Sequence, residues 1–320
     1  MSTASPTTPA FPTHRPSIPY LSKATSLQTL DLWLPQSHDP SSTSPWVIYI
    51  HGGAWRDPLQ TSTTIHATLS HLHNPPSSPI AGIASINYRL SPYASHPTAP
   101  SDPHDAARNV RHPSHVRDVA AALRYLRAEH GVERWIGVGH SCGATLLLQY
   151  VAGIGLDDVR GRNDGLEALV LLEGIYDVPL MLRNHVPPGC PEGIARIYRE
   201  FVEGAFGEGG DEVYRKVSPV AGAYGRESVG RGLKLVALGY SAEDELVESE
   251  QREAMLRVLK GDGWVDSVDE IAEGKGLVEC RDLQGAHDWI WEDGRQIAAV
   301  IEEVVGRIHQ WPKNASTMHE

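Results

Sequence analysis

Apolar and polar positions along this chain alternate between short apolar runs and longer amphipathic stretches. Leu30-Asp31-Leu32-Trp33-Leu34 alternates with a period of two and predicts a strand. Trp46–Ile50 is continuously apolar, rich in β-branched and aromatic residues, and followed by Gly52-Gly53. That pattern predicts a strand buried on both faces. Similar runs at Ile80–Tyr88, Trp135–Val138, Leu169–Leu172, Leu233–Leu238 and Leu277–Leu283 predict further strands. Helical patterns lie between them, over residues 61–73, Ala144–Ala152, Leu246–Leu259 and Ile290–Ile308. Val116, Val119, Ala120, Leu123 and Leu126 recur at spacings of three and four, which marks an amphipathic helix.

Strands that alternate with helices predict an α/β fold with a mostly parallel central sheet covered on both faces. Ligands in such sheets bind outside the carboxyl ends of the strands. Residues 91–114, rich in proline and histidine, predict a long irregular loop. Residues 176–231 carry helical pieces and many glycines with no strand period, and predict a cap insertion over the sheet edge. Residues 1–25, rich in Ser, Thr and Pro, read as a disordered or loosely packed tail, and 312–320 as a polar tail. One domain, 26–311, lies between them.

The net charge of −12 argues against nonspecific binding to nucleic acid or to an anionic membrane. Three cysteines cannot build a disulfide framework. With no signal peptide or membrane span legible, the expected setting is the reducing cytoplasm. The sequon Asn314-Ala315-Ser316 is then a chance match.

Gly139-His140-Ser141-Cys142-Gly143 stands between a predicted strand and a predicted helix. A serine there sits on a sharp, strained turn that holds its hydroxyl above the sheet edge, and the flanking glycines let strand and helix approach. A hydroxyl needs a base to become a nucleophile, and the base needs an orienting acid. His287, after the last strand and before the last helix, is the expected base. The acid is expected after the preceding strand, where Glu243, Asp244 and Glu245 compete; Asp244 is preferred, with Asp177 in reserve. Ser241 and Asp244 also have the spacing of a helix capping box. The oxyanion donors are expected from the N–H of Cys142 and from the loop His51-Gly52-Gly53-Ala54-Trp55, where two glycines let the backbone approach a substrate oxygen.

His66, His71 and His73 lie close together without a nearby cysteine or carboxylate, so no metal is expected. No G-x-G-x-x-G opens a helix, so no dinucleotide cofactor is expected either.

With these residues in hand, the chain from about 27 to 310 resembles the α/β-hydrolase superfamily. More narrowly, it is similar to the fungal kynurenine formamidases (arylformamidases). The similarity rests on His51-Gly52-Gly53-Ala54-Trp55 followed by Arg56-Asp57-Pro58, on Asn87-Tyr88-Arg89-Leu90-Ser91-Pro92, on His112 to Val119, and on Gly139 to Gly143. It implies a catalytic triad of Ser141, Asp244 and His287, with Gly52 and Gly53 in the oxyanion loop. The implied substrate is the small molecule N-formyl-L-kynurenine, cleaved to L-kynurenine and formate in tryptophan degradation. Trp55 is expected either as an aromatic wall of the acyl pocket or as core packing. The rival readings are a carboxylesterase acting on small acyl or aryl esters and a non-catalytic hydrolase-fold binding protein. The sequence leaves open which group holds the substrate's amino-acid head; it also leaves the oligomeric state open, and a homodimer is compatible with it.

Overall fold

A computed structural model describes residues 9–39, 42–77, 79–158, 161–271 and 275–311. Eight strands form one sheet: β1 Thr13–Pro19, β2 Thr29–Leu34, β3 Trp46–Ile50, β4 Ile83–Ile86, β5 Trp135–His140, β6 Leu166–Leu172, β7 Leu235–Ser241 and β8 Leu277–Leu283. Their order is β1-β2-β4-β3-β5-β6-β7-β8. The first two pairings, β1 with β2 and β2 with β4, are antiparallel, and the others are parallel.

Alternation along each strand sorts side chains to opposite faces. In β3, Ile48 and Ile50 point to one apolar layer and Val47 and Tyr49 to the other. The first layer is covered by helices α2 (Ser114–His130), α3 (Cys142–Ala152) and α8 (Ser249–Gly261), through Val116, Val119, Leu146 and Met255. The second is covered mainly by α10 (Arg295–His309), through Ile297, Ile301 and Val304, with Ile65 just before α1 (His66–His71). The predicted last helix is divided by Gly294, at φ 73°, into α9 (Trp289–Asp293) and α10. A Cβ on Gly294 would lie 2.3 Å from the Thr68 nitrogen, so close packing against α1 also requires glycine there.

Four α-helices lie between β6 and β7: α4 (Val178–Asn184), α5 (Glu192–Phe206), α6 (Asp211–Val217) and α7 (Arg226–Val229). The Ser/Thr/Pro-rich start departs from its reading as a loose tail, because residues 13–19 form the edge strand β1 and Phe11 and Tyr20 are buried. β1 has no apolar alternation because its side chains are almost all exposed, and an edge strand tolerates Pro16. The rest of that tail before residue 9, and residues 312–320, lie outside the described residues. Among the described residues no helix is long and apolar enough to cross a membrane.

Helix α3 packs its first turn directly on β3. A Cβ on Gly143 would lie 2.2 Å from the Ile50 carbonyl oxygen, and one on Gly139 would lie 2.6 Å from the Ala144 nitrogen. Both obstacles are backbone, which cannot swing aside. Gly143→Ala is therefore expected to destabilise the fold by about 1–3 kcal/mol or more, read as a lower urea midpoint. An unchanged midpoint would mean that α3 can lift off β3 freely.

Candidate active site

Ser141 follows β5 and precedes α3 with φ 55° and ψ −126°, a positive-φ conformation that non-glycine residues avoid. Its N–H is fixed by the Leu172 carbonyl at 2.9 Å, and its own carbonyl accepts from Ala144 at 3.0 Å. The strained turn is thus held from both sides. Ser141 faces a cavity of about 200 Å³ that His287, Gly53 and Arg56 also line.

His287 lies in the loop after β8, and that loop is tied to the loop after β7. Ser241 Oγ donates to the Gly285 carbonyl at 2.6 Å. The Gly285 N–H donates to Glu243 at 3.3 Å and the His287 N–H to Glu245 at 3.1 Å. The Asp244 carboxylate meets His287 Nδ1 at 2.8 Å. The three acids that compete in the sequence therefore all serve this loop, and Asp244 alone of them reaches the imidazole. Its second oxygen accepts the Leu246 and Val247 N–H groups at 2.8 and 2.9 Å, which fixes the carboxylate plane. It does not cap a helix, since α8 begins only at Ser249. With Nδ1 on Asp244, Nε2 is the nitrogen left for proton transfer.

The acid at the end of β6 is Glu173 and not Asp177. Asp177 caps α4, accepting the Leu180 N–H at 3.0 Å. Glu173 has φ 50°, and its fully buried side chain lies 3.5 Å from His287 Nδ1 and 3.4 Å from His140 Nε2. Burial, and then the Asp244 carboxylate, push Glu173 up to about 10, so at neutral pH it is an uncharged acid. His140 lies at 3.0 Å from the His287 carbonyl through Nε2. Burial, reinforced by His287, holds His140 well below the usual imidazole range. A carbonyl only accepts, so the neutral ring carries its proton on Nε2. Glu173 and His140 thus form a buried layer beneath His287. The sequence signal for Glu173 was its place directly after an apolar strand.

The β3 loop is set by Tyr88 and His51. The Tyr88 hydroxyl lies 3.0 Å from the Gly52 carbonyl and 3.1 Å from that of His51. His51 Nδ1 lies 2.9 Å from the Gly52 carbonyl, and burial holds this imidazole down at about 4, so it is a neutral donor. In a trans peptide the following N–H points the opposite way. The Gly53 N–H is thereby turned away from Tyr88 and His51. A Cβ on Gly52 would lie 3.0 Å from the Ser141 Cβ, so only glycine lets this loop approach the serine so closely. The Cys142 thiol accepts from the Trp55 N–H at 3.3 Å and is pushed up by burial to about 11. It is a buried thiol and no nucleophile.

Trp55, expected either at the pocket wall or in the core, is in the core. It is wholly buried against Phe206 and Phe201, with ring centroids at 5.0 and 6.2 Å, and does not line the cavity. Helix α5 supplies the aromatic wall instead, through Tyr198 and Phe201, with Tyr93 from the loop before α2. Of His66, His71 and His73, His73 pairs with Glu302 at 2.9 Å on the surface, and His66 joins a cluster with a second histidine and a carboxylate. The ligand atoms of His66, His14 and Asp31 lie within 4.8 Å of one another at the β1–β2 edge.

The family BD-FAE matches residues 30–153. A kynurenine formamidase-like hydrolase, fscH, of Fusarium equiseti is 35% identical over 302 residues, covering 91% of this chain and 94% of the relative. The kynurenine formamidase avaC of Aspergillus versicolor is 33% identical, covering 86% and 94%. A kynurenine formamidase of Meyerozyma guilliermondii is also 33% identical, covering 88% and 90%. Among solved structures, a truncated carbohydrate esterase from gut microbiota superposes with a TM-score of 0.60 at 15% identity, covering 94% of this chain and 99% of that one. Esterase B of Lactobacillus rhamnosis gives 0.61 at 16%, covering 95% and 88%. The structural likeness establishes the fold, and the sequence likeness, extending over almost the full length of both chains, establishes the family. The chain belongs to the kynurenine formamidase family, enzymes of the α/β-hydrolase fold.

Proposed function

We propose that this protein hydrolyses N-formyl-L-kynurenine to L-kynurenine and formate, with Ser141 as nucleophile, His287 as general base and acid, and Asp244 as its orienting carboxylate. The observation that carries the reading is the convergence on one cavity of a serine on a strained strand-to-helix turn and an imidazole whose Nδ1 meets a carboxylate at 2.8 Å. Ser141 Oγ attacks the formyl carbon while His287 Nε2 takes its proton. The carbonyl oxygen becomes an oxyanion, stabilised by the N–H groups of Gly53 and Cys142, with Gly52 in support. Each such donor contributes about 2.7–4 kcal/mol in the transition state. As the C–N bond breaks, His287 returns the proton to the departing aryl amine. Water then attacks the formyl-enzyme, again through His287, and formate leaves with Ser141 restored.

A formyl group carries only hydrogen on its acyl side, which leaves the aromatic lining of Tyr93, Tyr198 and Phe201 to receive the aryl leaving group. The helices between β6 and β7 act as a cap that supplies Tyr198 and Phe201 of this lining. The free cysteines support a reducing, cytoplasmic setting.

The esterase reading keeps one observation in its favour, since the solved structures that share this fold include esterases. Turnover of N-formyl-L-kynurenine, followed by loss of formamide absorbance, and of p-nitrophenyl acetate separates the two. The formamide is expected to give the higher kcat/KM, and a serine-directed organophosphate is expected to abolish both activities. Preference for the ester by orders of magnitude would remove the formamidase reading.

A further inference from the structure

Arg56 lines the wall of the cavity that holds Ser141 and His287, with 6% of its residue surface exposed. No described residue makes a hydrogen bond or an ion pair to its guanidinium. Its contacts are aromatic: the guanidinium carbon lies 4.0 Å from the centre of the Tyr93 ring and 5.7 Å from that of Phe201. Buried charges in proteins are otherwise paired, because desolvation without a counter-charge is costly.

Asp57 and Glu200 attract Arg56 through space, but neither accepts a hydrogen bond from it, and the contacts of the nearby acids lie elsewhere. Asp57, on the same cavity wall, accepts the Leu59 N–H at 2.9 Å and lies 3.5 Å from His96. Asp288, also on the wall, accepts from Gln60 at 3.1 Å and from Trp291 at 3.0 Å. Glu200 faces Arg196 at 3.6 Å. Arg56 is therefore a cavity cation that feels Asp57 and Glu200 through space but has no hydrogen-bonded carboxylate among the described residues. Stacking on Tyr93 fixes the plane of the guanidinium and leaves its N–H edge for a planar anion.

We propose that Arg56 anchors the carboxylate of the substrate's amino-acid head, so that the cavity selects formanilides carrying a carboxylate over neutral ones. The proposal rests on the formamidase reading of the same cavity. In N-formyl-L-kynurenine the carboxylate is separated from the formyl group by the aryl ring and the keto side chain. A cation on the wall shared with the aromatic side chains Tyr93, Tyr198 and Phe201 suits that layout. Burial away from water, which lowers the Arg56 pKa, also strengthens its attraction for an anion that enters.

The test compares N-formyl-L-kynurenine with 2′-formamidoacetophenone, which keeps the formanilide and ketone but lacks the amino-acid head. In Arg56→Gln the ratio of the two kcat/KM values, charged over neutral, is expected to fall roughly 10- to 100-fold, carried by KM for the charged substrate. Arg56→Lys is expected to recover part of that ratio. A ratio within twofold of the wild-type value in Arg56→Gln overturns the proposal. A second measurement leaves Arg56 intact. Calorimetry on Ser141→Ala is expected to show L-kynurenine binding about tenfold tighter or better than its decarboxylated analogue kynuramine. Equal binding of the two overturns the anchor. The two readings also fail separately. Carboxylate-dependent binding without formamide turnover would remove the formamidase and keep the anchor. Turnover of both formanilides with no carboxylate preference would do the reverse.

Discussion

Ser141→Ala is expected to lower kcat/KM for N-formyl-L-kynurenine by roughly 10⁴-fold or more while leaving the fold intact. The size follows from what is removed. On the proposed mechanism no formyl-enzyme forms without the hydroxyl, and only binding and the proposed oxyanion donors remain to assist direct attack by water. Retention of the fold follows from the backbone. Alanine keeps the Cβ that serine already carries at φ 55°, so the strain of the turn is unchanged. The Leu172 and Ala144 bonds that hold the turn use only main-chain atoms. Steady-state kinetics and a thermal melt on the same preparation check both halves. Residual activity above about a tenth of wild type would mean that another group delivers the nucleophile, since nucleophile deletions typically cost far more.

The second large effect separates the two carboxyls near His287 Nδ1. Asp244→Asn is expected to reduce kcat by roughly 10³- to 10⁴-fold, because an amide at 2.8 Å from Nδ1 neither stabilises the imidazolium nor enforces the productive tautomer. Glu173→Gln is expected to leave kcat within about tenfold, because the residue it replaces is already uncharged at neutral pH. Its signature is in stability. The folded-state pKa of Glu173 is raised from 4.5 to about 10, so between these values the folded protein holds a proton that the unfolded chain releases. Stability from this group is complete below the lower value and is lost as pH rises towards the upper one. Glutamine removes that dependence. The stability of Glu173→Gln relative to wild type should therefore rise by about 1 kcal/mol per pH unit between pH 5 and pH 8, measured by urea unfolding. A pH-independent difference would show that Glu173 ionises in the fold. Loss of activity in Glu173→Gln equal to that in Asp244→Asn would show that both carboxyls act on His287.

Much of the site is legible along the chain because its signals are local. Ser141 is marked by an apolar strand, two glycines and an apolar helix within a dozen residues, and the structure adds the reason: neither glycine can carry a Cβ against the backbone it touches. His287 is marked by its place between the last strand and the last helix. Glu243, Asp244 and Glu245 are marked only as a group. Their separate partners, two backbone N–H groups and one imidazole, depend on how the β7 and β8 loops face each other. Trp55 shows the same limit from the other side. Its neighbours Gly52 and Gly53 are placed by the turn itself, but whether an indole two residues on faces cavity or core is set by Phe201 and Phe206, distant in the chain.

The sequence alone determined the alternation of strands β2 to β8 with helices, the turn that presents Ser141, the glycine loop after β3 and the histidine after β8. Periodicity and glycine placement act over a few residues, so no knowledge of the rest of the chain is needed to read them. Only the tertiary structure decided which carboxylate meets His287, that Glu173 lies uncharged beneath it, that β1 completes the sheet edge, and that Arg56 is buried in the cavity wall among aromatic rings. Each of these depends on desolvation and on contacts between side chains far apart in sequence, and neither exists until the chain has folded.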